Sequence, residues 1–430
     1  MTDQEKHPEP DPELHQEIVV AGGGPVGLTL TLGLALAGFD VALIDRAPLK
    51  ALANEAAEET YDGRATALSL ASLRLLRRLG LGDILDREAS PIWRISVSDG
   101  RLGEAERRES LGFDARDLGQ EPLGAVIENR LLRAALHQAL LAKLPATRLY
   151  EQQRIAQLDA AKAGRRTLHL ASGTACTAAL ILSVDGRHST LRQAAQLADF
   201  SIKYGQAALV ASLRHERPHK GCAFEHFLPA GPFAVLPLND APHERLPEHR
   251  ASLVWTDRAD KIAAYAALDE EAFNRALVAR FGERLGQLYL DGKRWSYPLS
   301  AHQAPRFISE RLALVGDAAH GVHPIAGQGF NTGLKDVAAL LDVLEDARRL
   351  GQDLGSRSVL QQYQRWRRFD AGTLLLTTHG LNGLFSNDHD LVRLARGLGL
   401  SGVNRLPGLK KLFMRRATGT LGRIPRRMQA

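Results

Sequence analysis

The residues Gly22-Gly23-Gly24-Pro25-Val26-Gly27 fit the spacing GxGxxG, and the chemistry open to that spacing is phosphate binding. Gly22 permits a tight turn, Gly24 lets backbone N–H groups approach a pyrophosphate, and Gly27 lets a helix pack closely on a strand. The free N–H groups and partial positive charge of a helix N-terminus complete such a site. Asp45 follows Gly22 by 23 residues, with Arg46 beside it, and an acid at that distance can hold ribose hydroxyls. Glycine turns are common, so the context decides. Ile18 to Ala21 reads as a buried parallel strand, residues 25–37 as a continuous apolar helix and Val41 to Ile44 as a second strand, which together make a βαβ unit. This unit by itself does not separate FAD from NAD.

A second group of residues does. In LALVGDAAHGVHPIAGQGFNTGLKDV, Gly316-Asp317 follow a strand, and His320, His323-Pro324 and Gly327-Gln328-Gly329 precede a helix. An aspartate at a strand end can accept a hydrogen bond from a ribityl hydroxyl. A glycine-rich helix start offers N–H donors near the N1–C2 carbonyl region of a flavin, where negative charge appears on reduction. Strand-end aspartates often only cap helices, but this one shares the chain with the GxGxxG unit. A third stretch, Leu182 to Arg192 with Asp185-Gly186 at its turn, signals only a turn by itself.

These residues need elements to hold them. The chain has 430 residues, which at about 150 per domain suggests two to three domains. Hydrophobic residues make up 44% and charged ones 24%, an ordinary globular mix. Cys176 and Cys222 stand far apart in no CxxC or Cys/His array, which excludes a disulfide framework and a structural zinc site and fits a reducing compartment. No apolar run is long enough to span a bilayer, and the start lacks a signal-peptide core. The net charge of +6 is unevenly spread: residues 1–17 carry −5 and residues 391–430 carry +10. The body is nearly neutral, so the overall basicity does not describe a uniform nucleic-acid-binding surface.

Further along, residues 68–79 read as a helix ended by Gly80 and Gly82, and residues 128–144 as an amphipathic helix stopped by Pro145. Residues 146–183 suggest short antiparallel strands closing on the buried run 179–184. Residues 200–300 are β-rich with a helix near 270–281, 312–315 is a strand, and 356–384 and the tail are helical. The nucleotide-site stretches flank the β-rich one, which predicts a discontinuous domain with a second domain inserted.

At this point the chain resembles a family. GxGxxG near the N-terminus, DGxxSxxR in the middle and GDAAHxxHPxAGQGxN in the last third form the pattern of single-component flavin hydroxylases with the para-hydroxybenzoate hydroxylase fold. HPIAGQGFNTGLKDV, DGRATALS at 62–69, FLPAGPFAVLPL at 227–238 and a late LPGLKKLFMRRATG are similar to the ubiquinone-biosynthesis hydroxylases within it. Thr332 stands where that subgroup has leucine. The resemblance covers roughly residues 16–420. It implies an α/β fold: a discontinuous Rossmann-like FAD-binding domain, an inserted β-rich substrate domain and a helical C-terminal end. The expected division is a disordered acidic leader (1–16), FAD-binding parts (17–90, 121–198 and 301–385), substrate parts (91–120 and 199–300) and a basic helical tail (386–430).

Carried over residue by residue, the resemblance assigns Gly22, Gly24, Pro25, Val26, Gly27, Asp45 and Arg46 to the adenosine half of FAD. Arg64 and Arg130 would lie along the phosphates and ribityl chain; without the resemblance, both read as solvated surface residues. Asp185 and Gly186 fall near the FAD and the pyridine-nucleotide path. Asp317 binds the ribityl or pyrophosphate portion, and Pro324, Gly327, Gln328, Gly329 and Asn331 border the isoalloxazine. His226, His320 and His323 are expected to be structural. No acid–base residue and no metal ligand is assigned.

The implied activity is hydroxylation of the aromatic ring of a polyprenylated phenol in ubiquinone biosynthesis. Reduced FAD would react with O2 to give a flavin C4a-hydroperoxide that delivers oxygen to the ring, in a site kept dry. No second GxGxxG stands between a strand and a helix in a βαβ pattern, so NAD(P)H binds transiently or another donor supplies the electrons. A cytoplasmic protein is expected, with peripheral placement on the inner membrane face and membership of a quinone-biosynthesis complex left open. The tail mixes bases with Leu, Phe and Ile as an interfacial segment does, and a tail packed on the body with a solvated basic face is the equal alternative. Nucleic acid is disfavoured because no Tyr or Trp interleaves the bases. The rivals are a same-fold epoxidase or prenyl reductase, a flavin halogenase (whose WxWxIP motif is missing) and a non-enzymatic prenyl-group carrier.

Overall fold

The structure is a computed structural model describing residues 14–49, 64–100, 109–145, 148–228, 230–240, 247–322, 328–385 and 402–430. It is an α/β protein built on two large sheets and one small one. In the first sheet Leu14–Ala21 runs parallel to Val41–Ile44 on one side and to Ala175–Ser183 on the other, and Leu312–Leu314 and Leu149–Tyr150 extend it, also in parallel. Ile18, Val19, Val20 and Val41 to Leu43 are fully buried. Strands covered on both faces are apolar without alternation, which is why these runs were legible. Helix Pro25–Leu36 is buried from Gly27 through Leu34. Being apolar all round, it can lie only inside the protein, where it packs against helices Asn129–Leu141 and Gln328–Arg349.

The second sheet is ordered His320–Gly321, Leu288–Gln303, Phe200–His215, His249–Arg258, Gly231–Leu238, Cys222–Leu228, Arg94–Asp99 and Glu109–Asp114. Helices Ala259–Ala267 and Glu270–Phe281 cover one of its faces around Trp255, Phe233 and Phe273. The other face turns toward the nucleotide-site residues, where the Arg64 guanidinium lies 5.3 Å from the Tyr297 ring centre. A small sheet of Ala65–Ser69, Gly124–Glu128 and Ser90–Ile92 stands between.

Four expectations change. The first strand starts at Leu14, inside the stretch expected to be leader, because Leu14, His15 and Gln16 continue the ladder against Cys176, Thr177 and Ala178; residues 1–13 lie outside the described set. Residues 65–69 are a strand, and the following helix starts at Leu70 under the Ser69 hydroxyl as cap. Gly80, at φ +90°, kinks that segment without ending it, and helix continues over Gly82–Glu88. Leu149–Tyr150 is parallel to its neighbour, whereas Ile155–Leu158 and Arg166–Leu170 are antiparallel as expected.

The C-terminal end packs on the body. Residues 386–401 lie outside the described set. Beyond them, helix Pro407–Ala417 buries Met414 and the last turn buries Met428, each 1% exposed. Arg426 pairs with Asp346 at 2.8 Å, and Arg427 pairs with Glu345. Among the described residues no helix is long and apolar enough to cross a membrane.

Candidate functional site

The glycine turn has one closed side and one open side. Gly22 has φ +119°, and a Cβ there would lie 2.3 Å from the Val184 carbonyl oxygen. Gly24 is exposed, and a Cβ on it would meet nothing within 4 Å. It precedes Pro25 at the start of the helix, so free N–H donors face open space. Val26 takes a packing part: a Cβ on Gly333 would lie 3.0 Å from its Cγ2, and one on Gly316 would lie 3.4 Å from its Cγ1. It locks the turn to the Gly316-Asp317 motif, which lies 290 positions further along the sequence. Asp45 accepts from the N–H of Gly23 and, at 2.6 Å, from that of Ala47. It braces its own loop, with acceptor capacity to spare on a carboxylate. Arg46 is exposed beside it.

Asp185 and Gly186 close the same turn from the other side. The Asp185 carboxylate accepts from the Ser183 hydroxyl at 2.6 Å and from the Leu191 N–H at 3.3 Å, and Gly186 takes φ +85°. Asp185 therefore shapes the turn with its own side chain. Asp317 differs. Its backbone carbonyl accepts from His302 at 2.8 Å, its side chain is exposed, and no described residue bonds its carboxylate. That is the disposition needed to receive a ligand hydroxyl.

Behind Asp317 lies a buried ion network. Asp336 accepts from the Gly316 N–H at 2.9 Å, from His320 Nε2 at 2.7 Å and from Arg367 Nε at 2.6 Å, while Arg367 also reaches Asp370 at 2.7 Å. Burial pulls the Asp336 carboxyl upward, but the charges and hydrogen bonds of His320 and Arg367 outweigh it and hold the group down to about 2. His320 is thus a brace beneath the Gly316-Asp317 turn, as expected.

Pro324, Gly327 and His323 lie outside the described residues. Helix Gln328–Arg349 begins directly after them, and a Cβ on Gly329 would meet open space. Asn331 is 7% exposed; its amide donates to the Ala67 carbonyl and accepts from the Ser69 N–H, both at 2.8 Å. It clamps the helix start to the small sheet. The Thr332 hydroxyl donates to the Gln328 carbonyl at 2.8 Å, so a residue other than leucine is accommodated there within the helix. Arg64 is exposed and stacked on Tyr297. Arg130 donates to the buried Glu128 at 2.6 Å, and Glu128 also pairs with Arg250 at 2.8 Å.

Two cavities meet at the helix start and share Ser69, Gln328 and Asn331. One, of about 80 Å³, is walled mainly by apolar groups, among them Ile92, Ile95, Phe113, Leu123 and Met414. The other, of about 230 Å³, runs between helix Gln328–Arg349, helix Arg357–Phe385 and the C-terminal end, past Phe369, Leu374 and Leu421. Sequence reasoning missed the part of Met414 and Ala417 in the first wall, since no local pattern points from the tail to residues 92–124. It also missed Glu225. Attention there went to His226, which faces the opposite side of the sheet and bonds Ser98 at 2.8 Å; strict alternation along FEHF is the signal that separates the two.

The open space at Gly24 and Gly329, the uncommitted Asp317 carboxylate and the helix N-terminus between them fit an extended dinucleotide ending in a flavin ring. Comparisons with known proteins agree. The FAD binding domain family matches residues 15–375. Ubiquinone hydroxylase UbiL of Rhodospirillum rubrum is 43% identical over 416 residues, 94% of this chain and 90% of that protein. The 3-demethoxyubiquinol 3-hydroxylase of Escherichia coli is 34% identical over 406 residues, 94% of this chain and 98% of the other. Among solved structures, p-nitrophenol 4-monooxygenase of Pseudomonas putida superposes with a TM-score of 0.74 at 20% identity, covering 96% of this chain and 100% of that one. Klebsiella pneumoniae HpxO, complexed with FAD and uric acid, gives 0.68 at 16% identity over 94% and 96%; both are likenesses of fold. The chain belongs to the FAD binding domain family and, within it, with the ubiquinone hydroxylases.

Proposed function

We propose that this protein is an FAD-dependent monooxygenase that hydroxylates the aromatic ring of a polyprenylated phenol in ubiquinone biosynthesis. The observation that carries the reading is the apolar cavity opening onto Gln328 and Asn331, at the helix start suited to a flavin ring. FAD, when bound, supplies the redox chemistry that activates O2, with NAD(P)H or another donor providing electrons transiently. The chain does the rest. Backbone N–H groups at Gly24 and the helix start hold the phosphates, Asp45 and Asp317 take ribose and ribityl hydroxyls, and Arg64 and Arg130 flank the chain between them. The helix start at Gln328 and Gly329 meets the ring. Ile92, Ile95, Phe113 and Leu123 exclude water from the reacting face. The division into FAD-binding stretches 17–90, 121–198 and 301–385 around substrate stretches 91–120 and 199–300 belongs to the same proposal.

A prenylated ring exceeds the smaller cavity, so its isoprenoid chain leaves through the larger one, past Phe369 and Leu374. Such a substrate resides in lipid, and the C-terminal helix suits a lipid surface. Leu406, Leu409, Leu412 and Phe413 are 56%, 37%, 48% and 44% exposed, next to Arg405 and Lys411. Anionic vesicles should retain the protein, and Leu412→Ser with Phe413→Ser should release it; equal retention rejects peripheral docking.

The enzymatic reading is tested by supplying FAD-loaded protein with NAD(P)H, O2 and a short-chain prenylated phenol. Product heavier by one oxygen atom, with matching O2 uptake, is expected. Reductant consumed with saturation of the prenyl chain and no O2 uptake makes the protein a reductase instead.

A further inference from the structure

Glu225 lies on strand Cys222–Leu228, where successive side chains turn to opposite faces. Phe224 packs edge-on against Phe281 with ring centres 5.4 Å apart, and His226 bonds Ser98. That pair marks the helix-covered side. Glu225 therefore faces the other way, with Ala223 and Phe227, onto the side where Ile95 and Phe113 line the apolar cavity and Tyr297 lies beneath Arg64.

The sheet register makes its setting explicit. Leu111, Val97, Glu225, Ala234, Val254, Val210 and Trp295 are consecutive partners across seven strands, and Glu225 is the ionisable member of that row. The adjacent row holds Phe113, Ile95 and Ala223, so the carboxyl stands one pleat repeat, roughly 7 Å, from the cavity wall. A carboxylate among apolar side chains is costly unless bonded, and no described residue bonds this one. Desolvation accordingly pushes its carboxyl up to about 7. The residue nevertheless keeps some accessible surface. An unbonded acid on the face of the sheet that also carries the apolar cavity wall is the disposition of a working group, not of a structural one.

We propose that Glu225 is the catalytic base that takes the phenolic proton of the substrate as oxygen is added to the ring. This role rests on the ring-hydroxylase reading above. The phenol O–H bond breaks, its proton passes to a Glu225 oxygen, and the bonding pair becomes the second bond of a ring C=O. The ring carbon ortho or para to it then forms a C–O bond to the electrophilic oxygen derived from O2. The other O2 oxygen leaves as water, the two electrons coming from NAD(P)H. Loss of the C–H proton to solvent and return of the Glu225 proton to the ring oxygen restore the aromatic diol. A base ionising near neutral pH is matched to this exchange.

Glu225→Gln keeps the shape and removes the base; Glu225→Asp keeps the base and shortens its reach. Both are compared with the parent as FAD-loaded proteins using one short-chain prenylated phenol. The parent kcat/KM should rise with pH through about 7. The Gln variant should lose that limb and about 100-fold in kcat while binding the phenol, read from the flavin absorbance change, within roughly threefold, about 0.7 kcal/mol. The Asp variant should recover part of the rate and retain a pH limb. Infrared difference spectra between pH 6 and 8 should show a carboxyl band in the parent that is missing from the Gln variant, independent of turnover. A Gln variant that keeps the limb and kcat, or that loses phenol affinity in proportion to rate, overturns the role. If the parent itself hydroxylates no phenol, the ring-hydroxylase reading fails first, and the infrared band still reports whether Glu225 titrates near neutrality.

Discussion

Gly27 is pressed onto Gly22 so closely that a Cβ at 27 would stand 1.8 Å from the Gly22 carbonyl oxygen, whereas a Cβ on Gly24 would touch nothing within 4 Å. The two positions answer to different needs, one to the fold and one to a ligand. Gly27→Ala must move the helix off the turn and should destabilise the protein, with or without FAD, by about 1–3 kcal/mol or more. Gly24→Ala should change the stability of the FAD-free protein by no more than about 1 kcal/mol, yet weaken FAD binding roughly 10- to 100-fold, about 1.4 to 2.7 kcal/mol. Denaturant titrations and flavin fluorescence titrations of the two variants check both halves. Undiminished FAD affinity in Gly24→Ala would remove the phosphates from this turn.

Asp336 is the hub beneath the Asp317 turn, and its removal takes an acceptor from both His320 and Arg367. Asp336→Asn should cost about 3–5 kcal/mol at pH 7, because Arg367 remains wholly buried with half its partners gone. The folded-state value is depressed, so the stabilisation is present above the ordinary carboxylate range and disappears as pH falls from about 4 toward 2. Urea midpoints of parent and variant should therefore converge on acidification. A constant gap across that window would mean that packing around Asp336, and not its charge, is what the substitution disturbs.

How far the sequence carried depends on the range of the interactions concerned. Strands at Val19 and Leu43 are apolar because both faces are covered, and that signal is local. The tight turn at Gly22 and the open helix start at Gly24 follow from backbone geometry within a few residues of each, so they were legible too. Gly80 misled, since a glycine at positive φ can kink a helical segment as readily as end it. Asn331 shows a deeper limit. Its hydrogen bond to Ser69 joins residues 262 positions apart, and nothing near either one announces the other. Val26 against Gly333, and Met414 against the wall at Ile92, are likewise products of assembly.

Glu225 also makes a prediction about the FAD-free fold that needs no substrate. Its folded-state value is raised from 4.5 to about 7, so the native state binds more protons than the unfolded chain across that interval. Stability must then fall as pH rises from about 4.5 to 7 on this group's account. Glu225→Gln should be more stable than the parent by about 1–3 kcal/mol at pH 8, with the gap closing toward pH 4.5. Thermal or urea unfolding at the two pH values measures it. A variant less stable than the parent at pH 8 would mean that the carboxylate is satisfied in the native state, contrary to its setting among Val97, Ala234 and Val254.

The two faces of the C-terminal end should separate under mutation. Met428 is 1% exposed and belongs to the main core, held there by the pairing of Arg426 and Arg427 with Asp346 and Glu345. Met428→Ala should cost about 2–5 kcal/mol. Leu412, 48% exposed, should change stability by no more than about 0.5 kcal/mol when replaced, while carrying the retention by anionic vesicles. A deletion of the whole end would confound the two, because Met414 and Ala417 wall the apolar cavity and their loss would admit water to the reacting face. Point variants avoid this. Met428→Ala should lower the unfolding midpoint and keep vesicle retention, and Leu412→Ser with Phe413→Ser should do the reverse. If both changes act on stability alone, the exposed leucines serve the fold, and the bases beside them lose their claim to a lipid surface.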